Sequence, residues 1–255
     1  MRVSRISAGI IIVFFATASF AQGPWAKKDW KKWSKDDCKK VLENSPWAQQ
    51  WTYEDAKMAN FSSRPEGTTA GGVGSGSTQG VGSESELQVA YTIQLRSALP
   101  VREAVVRQLM LANRFDNMNQ EQQESFLKQT EPYLNRKYDD VIVVHVTYSS
   151  NVVEYNRGLM TFWENYPGGT VPQDAFLNTP RGEKVPVAQL IAPKGGAQEF
   201  EFIFPRVFNG KPVLEPGDKK MSVEFMSPKV GQVASSRVFV EFKVEGMMEN
   251  GSLVY

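Results

Sequence analysis

The chain carries one histidine and one cysteine, so an imidazole mechanism would have to use His145 and thiol chemistry Cys38. His145 lies within the valine-rich run DDVIVVHVTYS, and neither a G-x-S-x-G elbow nor a cysteine-nucleophile signature accompanies the two residues. A structural histidine met by a strand neighbour and a small buried thiol fit these settings better than catalysis. Carboxylates offer a second route to hydrolysis. Asp139-Asp140 and the pair Glu154/Glu164 are available, and glycoside cleavage needs only two placed carboxyls. Acids at strand starts also serve as ordinary solvated residues, so these carry no assignment by themselves. Structural zinc needs several Cys or His ligands, and the glycine-rich run is followed by no Gly-Lys-Ser/Thr to hold a phosphate. No cofactor or metal is expected.

The other residues of interest are aromatic. Five of the six tryptophans fall within residues 25–51, in PWAKKDWKKWSKDDCKKVLENSPWAQQW. Trp30, Trp33, Trp47 and Trp51 are the candidate partner-binding residues, because tryptophan anchors are enriched at interfaces. Three uses compete: a small core or a patch docked on the same chain, a surface for an envelope or secreted protein, and peripheral membrane contact. The third rests on seven lysines against three aspartates between residues 25 and 42. Short helices and those acids weaken it.

Local signals set the elements that would present these rings. Ser34 can cap a helix, with Asp36 and Asp37 at its positive end and Asp37 three residues after the cap. Cys38, Val41 and Leu42 form its apolar side, and Asn44 suits a stop. Ser45 as cap, Pro46 in a first turn, and Trp47, Trp51 and Met58 on one stripe predict a second helix. The expected product is a helical hairpin with an aromatic seam. The run WSKDDCKKVLENSPWAQ resembles the opening segment of a group of uncharacterised secreted bacterial proteins with the pattern WSxxDxxxxLxxSPWA. Trp33, Ser34, Asp37, Leu42, Ser45, Pro46, Trp47 and Ala48 carry the resemblance, and EFIFPR and SRVFVEFKV are similar to later segments of that group. The resemblance implies export and architecture, and no activity.

The surrounding chain divides into four parts. Residues 1–21 read as a signal peptide: Arg2 and Arg5, an apolar AGIIIVFFA, then Ser19-Phe20-Ala21 before a cleavage site at Gln22. The expected location is periplasmic or extracellular. Losing both arginines takes the formal charge from +1 to −1, which gives no electrostatic case for nucleic acid. Residues 22–61 form the Trp-rich head, and residues 62–86 a Gly/Ser-rich linker spanning about 25–30 Å as a flexible coil. Residues 87–255 form the body.

In the body, Leu87 to Leu95 reads as a strand, and VREAVVRQLMLAN after Pro100 as a helix. A capping box at Asn119–Gln122 opens a second helix, which Pro132 should kink or end near Thr130. Residues 139–149 form the strongest strand, apolar on both faces and so central. Residues 151–166 are ambiguous, with Gly158 arguing against a regular helix. From residue 175 onward, a hairpin around Thr179-Pro180-Arg181-Gly182 precedes EFEFIFPR, MSVEFM and RVFVEFKV. Those strands put Phe200/Phe202/Phe204, Met221/Val223/Phe225 and Val238/Val240/Phe242 inward, with Glu199, Glu201, Glu224, Glu241 and Lys243 outward. The predicted class is α+β, an antiparallel β-rich body, sandwich-like or helix-covered, with an inserted helical pair and an N-terminal helical hairpin. The functional expectation is a non-enzymatic interaction module. The alternative is an extracytoplasmic hydrolase using His145 or a carboxylate pair.

Overall fold

A computed structural model describes residues 23–55, 87–167, 171–249 and 251–255; the predicted signal peptide, the Gly/Ser-rich run and Met58 lie outside them. Helix α1 (Lys35–Glu43) begins with the expected reciprocal cap. Ser34 Oγ accepts from the Asp37 N–H at 3.1 Å, and Asp37 Oδ2 accepts from the Ser34 N–H at 3.0 Å. Lys28 also donates to Asp37, and with the Ser34 bonds it holds that carboxyl at about 2. Strand β1 (Ala48–Asp55) follows at once and pairs antiparallel with β2 (Leu87–Leu95), from Ala48 opposite Gln94 to Asp55 opposite Leu87.

The predicted second helix is therefore a strand. Its misleading signal was a spacing of four between Trp47 and Trp51, which fits a helical stripe and one strand face equally. The residues between decide it: Trp47, Gln49, Trp51 and Tyr53 alternate with Ala48, Gln50, Thr52 and Glu54, in a sequence rich in aromatic and β-branched types. Ser45 does bind backbone as a cap would, but to close a turn. Its hydroxyl donates to the Val41 carbonyl at 2.7 Å and accepts from the Trp47 N–H at 3.2 Å.

The rest of the chain comprises α2 (Leu99–Ala112), α3 (Gln120–Leu134), β3 (Val141–Ser150) and α4 (Val153–Glu164). Then come β4 (Phe176–Asn178), β5 (Lys184–Pro186), β6 (Gln189–Ile191), β7 (Glu199–Pro205), β8 (Val207–Phe208) and β9 (Lys211–Pro212). The last strands are β10 (Lys220–Ser227), β11 (Ser236–Lys243), β12 (Met248–Glu249) and β13 (Ser252–Leu253). The fold is α+β. One sheet runs β1-β2-β3-β7-β6, with β3 central as its two apolar faces required, and a second runs β11-β10-β4-β5.

The inner faces meet through Tyr91, Phe200 and Phe202 against Phe225, and Tyr91 Oη lies 2.7 Å from Ser227 Oγ across the gap. Helix α4 closes this core by stacking Trp163 on Phe200 at 4.0 Å. Its Gly158 is required by proximity, because a Cβ there would sit 2.3 Å from Val230 Cγ1. Helix α3 runs through Pro132 to Leu134; the carbonyl its ring forgoes belongs to Lys128, an exposed residue open to water. Glu224 departs from its predicted solvated role. It is 4% exposed, flanked by Phe176 and Phe239 on the adjoining strands, and clamped by Lys184 at 2.8 Å and by Arg237. Burial pushes its pKa up, but the two cations outweigh that and leave it lowered.

The boundary suggested between head and body falls inside this architecture. Trp33, Cys38, Val41, Leu42 and Trp47 share one core with residues of both sheets. Buried Arg107 on α2 donates Nε to the Trp33 carbonyl at 2.9 Å, and Gln94 Nε2 donates to the Leu42 carbonyl at 2.7 Å. The head is joined to the body along β1 rather than held apart from it.

Candidate binding groove and the predicted site residues

Of the four predicted anchors, Trp33 and Trp47 are each 1% exposed and belong to the core. Neither can reach a partner in this fold. Trp47 also spends its indole N–H on the Val254 carbonyl at 2.6 Å. Trp30 and Trp51 are half-buried: Trp30 packs beside Val106, Met110 and Phe115, and Trp51 stacks on Tyr53 at 6.0 Å. Trp30 lines a cavity of about 370 Å³ beside α3, with Glu124, Leu127 and Lys128, and Trp163 lines another. Trp25 lines a larger groove and is not among the four predicted anchors. It sits in a 3₁₀ turn (Pro24–Ala26) and packs edge-on against Trp47 at 5.5 Å. No local pattern distinguishes Trp25 from its neighbours; its role depends on what the chain brings beside it from 200 residues away.

That partner segment is the end of β11 and the 3₁₀ turn Val244–Met247. Gly246 approaches Pro46 so closely that a Cβ would lie 2.8 Å from Pro46 Cγ. Between Trp25 and this turn lies a groove of about 630 Å³, with Trp25, Pro46 and Met248 as apolar lining and Gln49, Glu241 and Lys243 among its polar groups. Gln49 comes from β1 and the two charged residues from β11. Each of these strands is the edge of its own sheet, and the two lie against each other. The groove thus combines an aromatic wall, mixed charge and two strand edges.

The predicted catalytic groups are arranged otherwise. Cys38 is fully buried, and burial pushes its thiol up to about 11 despite the opposing charge of Arg107. It is a thiol at neutral pH rather than a nucleophilic thiolate. His145 is 2% exposed on the face of β3 away from the sandwich interior. Its Nε2 is 3.4 Å from Glu199 Oε2 and its Nδ1 3.5 Å from Glu201 Oε1, contacts without hydrogen-bond alignment. Interaction with His145 lowers the Glu201 pKa against the effect of burial. Both ring nitrogens thus face carboxylates, and neither contact brings a nucleophile to the imidazole.

Glu154 and Glu164 stand ten residues apart on α4, a rise of about 15 Å, beyond the roughly 5–9.5 Å of glycosidase pairs. Glu164 accepts the Gly196 N–H at 3.0 Å. Asp139 and Asp140 sit side by side in the turn before β3, where the Asp140 carbonyl accepts from the Arg206 N–H. Among the described residues no cluster of three or more His, Cys, Asp or Glu could hold a metal ion, and no helix is long and apolar enough to cross a membrane.

No protein-family model, curated protein or solved structure matches this chain.

Proposed function

We propose that this is an exported, non-enzymatic binding protein that takes an extended segment of a partner polypeptide into the groove beside Trp25. The observation carrying this reading is the meeting of two edge strands, β1 and β11, at a concave surface with an aromatic wall. An extended peptide can pair its backbone with a strand edge while its side chains use the adjoining pockets. Trp25, Pro46 and Met248 would receive an apolar side chain, and Glu241 and Lys243, of opposite sign, would fix direction. Export rests on the leader-like residues 1–21.

The test is selection from a displayed random-peptide library on the mature protein, followed by titration of the selected peptides. The reading expects Trp25→Ala to weaken them at least tenfold, about 1.4 kcal/mol, with slowed amide exchange in β1 or β11. Lys243→Glu, a change at the groove's polar side, should shift the charge preference of the selected set. An empty selection, or peptides that bind both variants as they bind the parent, would overturn it.

A further inference from the structure

We propose a second, independent site: a cationic cleft after α3 that binds a compact phosphate-bearing anion. The cleft holds about 550 Å³, within the range of small-ligand pockets. Its charged lining consists of Arg102, Arg136, Lys137 and Arg206 against the single carboxylate of Asp139. No Asp or Glu carboxylate of the described residues comes within 4 Å of any of these four cations, whereas nine Lys or Arg ion pairs of that length occur elsewhere among the described residues. The lining therefore carries a surplus of three positive charges, and a negative charge counted at Tyr255 would still leave two.

Arg102 is the distinctive member. It is 7% exposed, and its guanidinium is held by backbone carbonyls alone: Tyr133 at 3.2 Å, Arg136 at 2.8 Å, Leu134, and Ser97 at 3.4 Å. Its Nε has no partner. A cation surrounded only by dipoles at a helix C-terminus is favourably placed, but its charge is not neutralised. Burial lowers its pKa, and Arg136 adds repulsion. Glu103 on the same helix offsets this only in part, since its own burial lifts it to about 7 and leaves it half-protonated at neutral pH.

Arg102 and Arg136 lie over the same Tyr138 ring, at 5.2 and 5.1 Å, so two planar forks are brought to one wall. Arg206 is fixed at the cleft by the Val141 carbonyl at 3.1 Å, the Tyr255 carbonyl and the Tyr255 ring at 4.0 Å. Arginine forks of this kind match the oxygen geometry of phosphate, and the charge surplus favours a group bearing two or more negative charges. A free phosphate compound and a phospholipid headgroup share this chemistry.

The test is calorimetric titration of the mature protein with pyrophosphate, beside citrate, and flotation with phosphatidylcholine vesicles with and without phosphatidic acid. Arg136→Glu combined with Lys137→Glu alters two exposed residues, leaves the buried Arg102 in place, and should keep the unfolding temperature. Saturable pyrophosphate binding that the double variant weakens tenfold or more is expected. Flotation only with phosphatidic acid, lost in the variant, would support the site and make the source a lipid headgroup. Absence of both pyrophosphate binding and flotation, equal binding by the variant, or citrate binding as tightly as pyrophosphate would each overturn the proposal.

Discussion

Glu103 illustrates how one side chain can make stability depend on pH. Burial raises its pKa from 4.5 to about 7, with repulsion from Glu249 and Asp29 adding to the effect and Arg102 opposing it. The folded chain thus retains a proton that the unfolded chain releases, and stability falls as pH rises from about 4.5 to 7, levelling off above. Glu103→Gln should remove that slope and raise stability at pH 8 by about 1–2 kcal/mol after allowance for solvent screening. Urea unfolding at pH 5 and pH 8 reads this directly, and an unchanged slope in the variant would refute it. Gly158 makes a steric case of similar sharpness. Alanine there gains about 1 kcal/mol of helix propensity but drives its Cβ into Val230, so a net loss of about 1–3 kcal/mol is expected. Val230→Ala in the same chain should recover most of it. Additive losses in a double-mutant cycle would show that the clash is not the cause.

At the scale of elements, the WSxxDxxxxLxxSPWA pattern reads as one helix–turn–strand unit. Ser34 and Asp37 cap α1, Leu42, Trp47 and Ala48 are buried with Trp33, Ser45 closes the turn, and Pro46 meets Gly246. Each pattern residue has a structural task, and Ser45 and Pro46 in addition line the groove beside Trp25. Ser45→Ala should cost about 1–2 kcal/mol by leaving a buried carbonyl and the Trp47 N–H short of a partner. Ser34→Ala should cost about 1 kcal/mol through the cap alone. Thermal unfolding of both would compare them, and a smaller loss at Ser45 would count against the turn. The same contrast marks what the sequence makes legible. The caps of α1 and α3, and the alternation in β7, β10 and β11, are signals written within a few residues, and the structure has those elements. The pairing of β1 with β2 spans residues 56–86, and no short-range pattern encodes it. Trp25 and Arg102 owe their places to similar long-range approach, which is why neither was evident as a site residue.

For the whole molecule, the question is whether residues before 56 form a unit of their own. The energetics say otherwise. Trp33, Val41, Leu42 and Trp47 are buried in the common core, and at about 1.5–3 kcal/mol for each large apolar side chain their loss approaches the entire stability of an ordinary domain. Removing them would also expose the outer edge of β2 along its full length. The expectation can be tested without deleting anything, by placing a site-specific protease sequence between residues 70 and 71. After cleavage the two pieces should migrate together in gel filtration, because they are held by an eight-residue strand pairing and a shared core rather than by the severed peptide. They should separate only in denaturant and unfold in a single transition, at a midpoint that rises with protein concentration because a covalent chain has become a complex. A chain lacking residues 22–55 should lose cooperative unfolding altogether. If the small piece instead elutes alone while the larger one keeps a sharp transition of its own, the N-terminal segment is an appendage, and the groove between β1 and β11 is not a fixed feature of the fold.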